Sequence, residues 1–191
     1  MLYNVTETVV ETVQFPDPFD PNPVAPGVTE DTNAQTPQPK YKKTDKTAKF
    51  VSELIKVCSN LDHLRIQSHL IHLNYEAANF LSVHKFLKKQ YEAHAEQFDR
   101  VGEYVRSMDY LLPMCEKGLK SASKEIEHVD SYEPGQMLKT YYRNLEAFAM
   151  DLKKIRKQAE TIDAPDVENY IAELIGELFL AAWKIKSMLR N

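Results

Sequence analysis

Two histidines, an aspartate and a glutamate are the residues of this sequence best suited to chemistry: His72, His84, Asp99 and Glu103, separated by twelve, fifteen and four residues. Imidazole nitrogen and carboxylate oxygen together make a ligand set that suits iron or zinc. The stretch carrying the last three reads as a long helix beginning near Ala78, because Phe80, Val83, Leu87, Tyr91, Phe98, Val101 and Val105 recur at helical steps with no intervening proline. Turning about 100° per residue, such a helix brings His84, Lys88, Glu92, Asp99 and Glu103 within an arc of roughly 100°. A shared face is not a shared site. At ~1.5 Å per residue, His84 and Asp99 stand more than ~20 Å apart along the axis, too far to hold one ion. If an identical helix packs antiparallel across a two-fold axis near Tyr91 to Ala93, His84 of one copy comes opposite Asp99 and Glu103 of the other. This arithmetic predicts an isologous dimer with two equivalent sites.

The spacing resembles the ferroxidase signature of the Dps family, the mini-ferritins also called DNA-binding proteins from starved cells. In that pattern a histidine is followed by a second twelve residues on, an aspartate fifteen beyond and a glutamate four further, and His72, His84, Asp99 and Glu103 reproduce each interval. The resemblance runs from about Lys49 to the C-terminus and takes in Trp183, Met188 and Leu189. It implies that these four residues act catalytically as iron ligands shared between two subunits. It also implies ferrous iron oxidised by peroxide or dioxygen, ferric mineral stored in a hollow shell of twelve subunits built from two-fold dimers, and protection against peroxide. Holding ferrous ions in pairs would allow two-electron reduction of peroxide without release of hydroxyl radical. Two departures stand out: Lys88 occupies a position where the family usually has an acid, and Leu73 one where it often has tryptophan. An ammonium at Lys88 repels cations, or turns aside to pair with Glu92, four residues along. The competing reading, from another class, is a structural or partner-binding shell whose metal site is degenerate or filled with zinc.

Neighbouring residues offer further candidates. Tyr75 and Tyr91 lie close in sequence to the ligands and are candidates to quench radicals where the tryptophan is missing, with core packing the stronger role for Tyr91. Glu92 and Glu96 read chiefly as solvated or salt-bridging acids. His69, one turn before His72, is a candidate for a histidine-richer site, whereas His63 and His94 carry no signal beyond that of surface residues. In the family, acids near the start of the last helix line pores at three-fold axes, where grouped carboxylates attract cations. Asp163, Asp166 and Glu173 are the pore candidates here, with helix capping by Asp163 and Asp166 as a role that can coexist.

The elements that must position these residues follow from periodicity and punctuation. A first helix capped by Thr44 or Asp45 runs through Phe50, Leu54, Leu61 and Leu64 to end near Asn74. The second, carrying His84, stops before Pro113. A shorter helical piece covers Cys115 to Glu127, and Ser131 to Gly135 form a break. A third long helix follows from Gln136 to about Ala159. Asp163 and Pro165 open the fourth, which continues from Val167 to Leu189. Four long helices paired by a crossover give an all-α, ferritin-like four-helix bundle, with a short extra helix between the second and third.

Composition supports that class. The chain has 191 residues, 43% of them hydrophobic and 27% charged, with five glycines, and seven of its ten prolines precede residue 40. No apolar run approaches the ~20 residues of a membrane span, and no secretory signal is apparent, so no membrane partner and a cytoplasmic location are expected. Cys58 and Cys115 fit no metal or redox motif and are read as inert thiols. The net charge of −4 conceals an asymmetry: residues 1–39 hold six acids and no Lys or Arg. We therefore expect an acidic, proline-rich tail over residues 1–43, with a loosely alternating strand or docking segment over 1–14 and extended backbone over 15–39, ahead of a helical domain over 44–191. Lys40, Lys42, Lys43, Lys46 and Lys49 form a basic cluster at the junction. A tail of this sign opposes phosphate, and little or no DNA binding is expected at physiological salt.

Overall fold

The computed structural model describes residues 41–123 and 126–190. The expected strand or docking segment over 1–14, the extended run over 15–39 and Lys40 lie outside the described residues. The described residues form five helices in order: α1 (Asp45–Asn74), α2 (Phe80–Ser107), α3 (Glu116–Lys120), α4 (Pro134–Thr161) and α5 (Pro165–Met188). α1 packs along α2 and α4 along α5, with α1 also lying against α4, so two helical hairpins share one core. This is the all-α bundle of four long helices plus one short helix that the periodicity predicts.

Each long helix is amphipathic for a reason visible in its spacing. On α1 the residues Leu54, Val57, Cys58, Leu61, Leu64 and Ile71 are buried; on α4 it is Leu138, Tyr141, Leu145, Phe148 and Leu152; on α5, Val167, Ile171, Leu174, Leu178 and Ile185. Steps of three and four residues lay these side chains on one stripe per helix, and the stripes close on each other. Among the described residues no helix is long and apolar enough to cross a membrane.

The helix ends show where local chemistry overrides periodicity. Thr44 caps α1 as expected, its hydroxyl accepting the Thr47 amide at 3.2 Å. α2 begins at Phe80 rather than Ala78, because the Asn79 side chain accepts a hydrogen bond from the Tyr75 hydroxyl (2.8 Å) and makes none to the helix it precedes. It ends at Ser107, short of Pro113, where Asp109 takes φ 63 and turns the chain out of the helix. The short helix covers only Glu116–Lys120 of the stretch expected from Cys115 to Glu127. α4 starts inside the expected break: Glu133 accepts the amides of Gly135 (2.8 Å) and Gln136 (2.6 Å), and Pro134 fits the first turn. Asp163 does not cap the last helix. It sits at φ 56 beyond the end of α4, and Ala164 occupies the cap position of α5 without a side-chain bond.

The crossover between the hairpins is tied down by amides. Gln67 on α1 donates to the Glu127 carbonyl (2.8 Å), and Asn144 on α4 donates to that carbonyl (2.8 Å) and to the Gln67 side chain (2.9 Å). Asn144 also accepts the Glu127 amide at 3.0 Å, while Arg143 pairs with the Glu127 carboxylate. Backbone groups that have left regular structure are thereby satisfied.

Candidate metal centre

His72 comes from the last turn of α1 and His84 from the first turns of α2, with the loop Tyr75–Asn79 folding one back on the other. Tyr75, buried, holds that loop: its amide donates to the Ile71 carbonyl at 2.9 Å and its hydroxyl to Asn79. The imidazoles of His72 and His84 stack with centroids 3.6 Å apart. Their hydrogen bonds are reciprocal: His72 Nδ1 lies 2.9 Å from the His84 carbonyl, and His84 Nδ1 lies 3.0 Å from the His72 carbonyl. A carbonyl only accepts, so each Nδ1 carries its proton. In the neutral ring, Nε2 therefore keeps its lone pair, the arrangement by which a backbone carbonyl readies a histidine to bind metal.

Around this pair the rings continue. Tyr91, half-buried on α2, stacks on His69 (4.3 Å between centroids) and stands edge-on to His72 (5.4 Å). Phe80 lies 4.9 Å from His84. His69 is thus part of the aromatic cluster, its ring 6.0 Å from that of His72 and turned by 51°. Of the two tyrosines considered as radical quenchers, Tyr91 touches the histidines while Tyr75 fixes the turn.

The carboxylates of the expected set are elsewhere. Asp99 and Glu103 lie exposed further along α2, and Glu103 Oε2 is 3.5 Å from an Arg100 guanidinium nitrogen. Lys88 is turned toward Glu92, its ammonium 3.7 Å from the carboxylate; Glu96 is exposed. Among the described residues, no three His, Cys, Asp or Glu side chains of the one chain gather into a group that could hold a metal ion. The structure thus brings His72 and His84 together, and keeps Asp99 and Glu103 apart from them, as the spacing requires of a single copy. Of the pore candidates, Asp163 and Glu173 are exposed, whereas Asp166 is half-buried and accepts a hydrogen bond from Tyr41, just ahead of α1.

One residue read as surface is not. His94 is 1% exposed, in the middle of the bundle. Gln97 donates through its amide nitrogen to Glu177 on α5 (2.8 Å), which turns its oxygen toward His94 Nδ1 (2.8 Å) and makes that nitrogen the donor. His94 Nε2 accordingly accepts from the Tyr141 hydroxyl at 2.8 Å. Burial lowers the His94 pKa to about 4 and pushes the Tyr141 phenol up, so both stay neutral. The signal was available: Leu87, His94, Val101 and Met108 recur at seven-residue steps and all are buried. Cys58 is also buried, which pushes its thiol up to about 12, while exposed Cys115 caps α3 by accepting the Gly118 amide.

Residues 44–191 match the ferritin family, through a model described as a ferritin-like domain. No curated protein sequence matches the chain significantly. Solved structures do match. Antigen TpF1 of Treponema pallidum is similar at 19% identity and a TM-score of 0.73, covering 80% of this chain and 99% of that one. A Dps homologue of the archaeon Halobacterium salinarum is 21% identical with a TM-score of 0.71, covering 82% and 92%. The Dps protein of Vibrio cholerae O1, 15% identical with a TM-score of 0.70 over 75% and 91%, is described as a member of a broad superfamily of ferritin-like diiron-carboxylate proteins. The chain belongs to the ferritin family, and its fold is that of the Dps proteins.

Proposed function

We propose that the protein is a Dps-type mini-ferritin, in which His72 and His84 of one subunit and Asp99 and Glu103 of a second form a shared site that binds and oxidises ferrous iron. The observation that carries this is the reciprocal histidine pair. Both Nδ1 atoms are committed to backbone carbonyls, leaving an Nε2 lone pair on buried His72 and on half-buried His84, in a turn region where Leu73 and Leu81 are exposed. A histidine pair alone is an incomplete ligand set for iron, and packing α2 antiparallel on a second copy supplies the carboxylates. Exposed apolar residues beside half a site are what a subunit interface would cover.

Iron is the substrate and cargo. Ferrous ions give their electrons to peroxide or dioxygen, whose oxygen leaves as water after taking up protons, and ferric iron is stored as mineral within the closed, dodecameric shell. Acids near the start of α5, Asp163 and Glu173 foremost, serve as the cation entrance. Asp166 contributes less, because Tyr41 already engages it. The helical domain over residues 44–191 carries this chemistry and the acidic tail over 1–43 takes no part in DNA binding. A structural shell with a degenerate or zinc-filled site is the second reading, favoured by the Lys88–Glu92 and Arg100–Glu103 pairs that occupy the ligand face. Anaerobic loading with ferrous iron followed by peroxide, monitored by ferric absorbance, separates the two. Fast oxidation that His84→Ala removes supports the ferroxidase, and an equally slow signal in both proteins supports the structural shell.

A further inference from the structure

The face of α2 that carries His84, Asp99 and Glu103 also carries two cationic side chains. Lys88 follows His84 by one turn on the same face of α2, and its ammonium lies 3.7 Å from Glu92, with both side chains about half exposed. Arg100 adjoins Asp99 and lies 3.5 Å from Glu103. The antiparallel register that sets His84 against Asp99 and Glu103 of the partner subunit sets Lys88 against the stretch from Ala95 to Asp99 of that subunit, between the histidines and the two-fold axis. Asp99 and Glu103 bring two negative charges to each site, and Lys88 and Arg100 bring two positive ones before any metal arrives. A first divalent cation has two imidazole nitrogens and two carboxylates to bind it. A second, displaced toward the axis, would meet the ammonium, and the next carboxylate there, Glu92, is already answered by Lys88.

We propose that each shared site seats one divalent cation, and that the Lys88 ammonium holds the ground a second would need. The ion pair that the family resemblance implies is thereby reduced to a single resident ion. This rests on the shared-site reading, and the test separates the two. Zinc, which needs no oxidant, is the probe: the full-length protein, Lys88→Asp and His84→Ala are titrated calorimetrically, and the zinc retained after gel filtration is measured by atomic emission. The wild type is expected to retain about one zinc per subunit above the His84→Ala background, and Lys88→Asp about two. About two in the wild type, or no gain in Lys88→Asp, overturns the role given to Lys88. Equal zinc in the wild type and His84→Ala overturns the shared site itself, and this proposal with it. Should Lys88→Asp fail to assemble, Lys88→Gln removes the charge without adding a ligand. It is expected to bind a second zinc at least ~10-fold more tightly than the wild type, and unchanged affinity counts against the proposal.

Discussion

Two histidine clusters occupy different depths of the same bundle. In the core, His94 has both ring nitrogens bonded to side chains, to Gln97 and Tyr141, and Gln97 passes the connection on to Glu177. At the end of the α1–α2 hairpin, His72 and His84 each spend one nitrogen on a backbone carbonyl and keep the other. The first cluster is complete within one chain. The second keeps coordinating capacity that one chain does not use. A buried histidine with both nitrogens satisfied contributes stability, whereas a pair that keeps its Nε2 lone pairs can take further ligands, as the proposed shared site requires.

The sharpest way to break this distinction is to empty each cluster in turn. His94→Ala leaves the Gln97 oxygen unpaired, leaves the Tyr141 hydroxyl with Ser68 alone, and opens a cavity. It should cost about 3 kcal/mol in chemical denaturation, with zinc affinity per folded subunit unchanged. A loss of zinc binding there would mean that the core cluster shapes the site. The same histidine sets an acid limit. Its pKa falls from 6.5 unfolded to about 4 folded, so the unfolded chain takes up the proton first as pH drops. Stability is then complete above pH 6.5 and declines as pH falls toward 4, by about 3 kcal/mol in all. Denaturation midpoints measured across that window should slope in the wild type and flatten in His94→Ala.

The edge cluster should behave in the opposite way. His84→Ala is expected to weaken zinc binding by roughly 100-fold, equivalent to ~2.7 kcal/mol, while shifting stability by less than about 1 kcal/mol. Smaller effects test the supporting contacts. Tyr41→Phe removes a hydrogen bond to a carboxylate and should destabilise the fold by about 1.5 kcal/mol, read from the denaturation midpoint. Glu92→Gln, at a half-exposed pair, should change stability by no more than ~0.5 kcal/mol; a larger loss would show that the Lys88–Glu92 pair is buried in the assembly.

The sequence carried the bundle because burial follows period. Leu54, Leu61, Leu145, Leu152, Ile171 and Leu178 mark their stripes plainly, and the side chains buried in the structure are the ones those stripes expose to each other. The boundaries were less legible where a side chain took an unexpected partner, as Asn79 did with Tyr75, or where a single residue left helical φ, as Asp109 did. Residue type places His94 at the surface, whereas its register with Leu87 and Val101 places it in the core. Spacing along α2 predicts that His84 meets Asp99 and Glu103 of a second copy, an expectation that one chain leaves open. The approach of His72 to His84 is implied only by the family resemblance, because it depends on the turn that Tyr75 and Asn79 hold.

The central claim is that imidazoles from one subunit and carboxylates from another build each site. Mixed shells test it most directly: subunits carrying His72→Ala and His84→Ala are co-expressed in equal amounts with subunits carrying Asp99→Ala and Glu103→Ala, and assemblies holding both tags are isolated. Each parent alone should oxidise iron no faster than buffer, while random pairing mixes about half of the two-fold interfaces, each with one intact site of its two, and restores about a quarter of the wild-type ferroxidase rate. A mixed shell as inactive as its parents, or an active parent, would contradict the account.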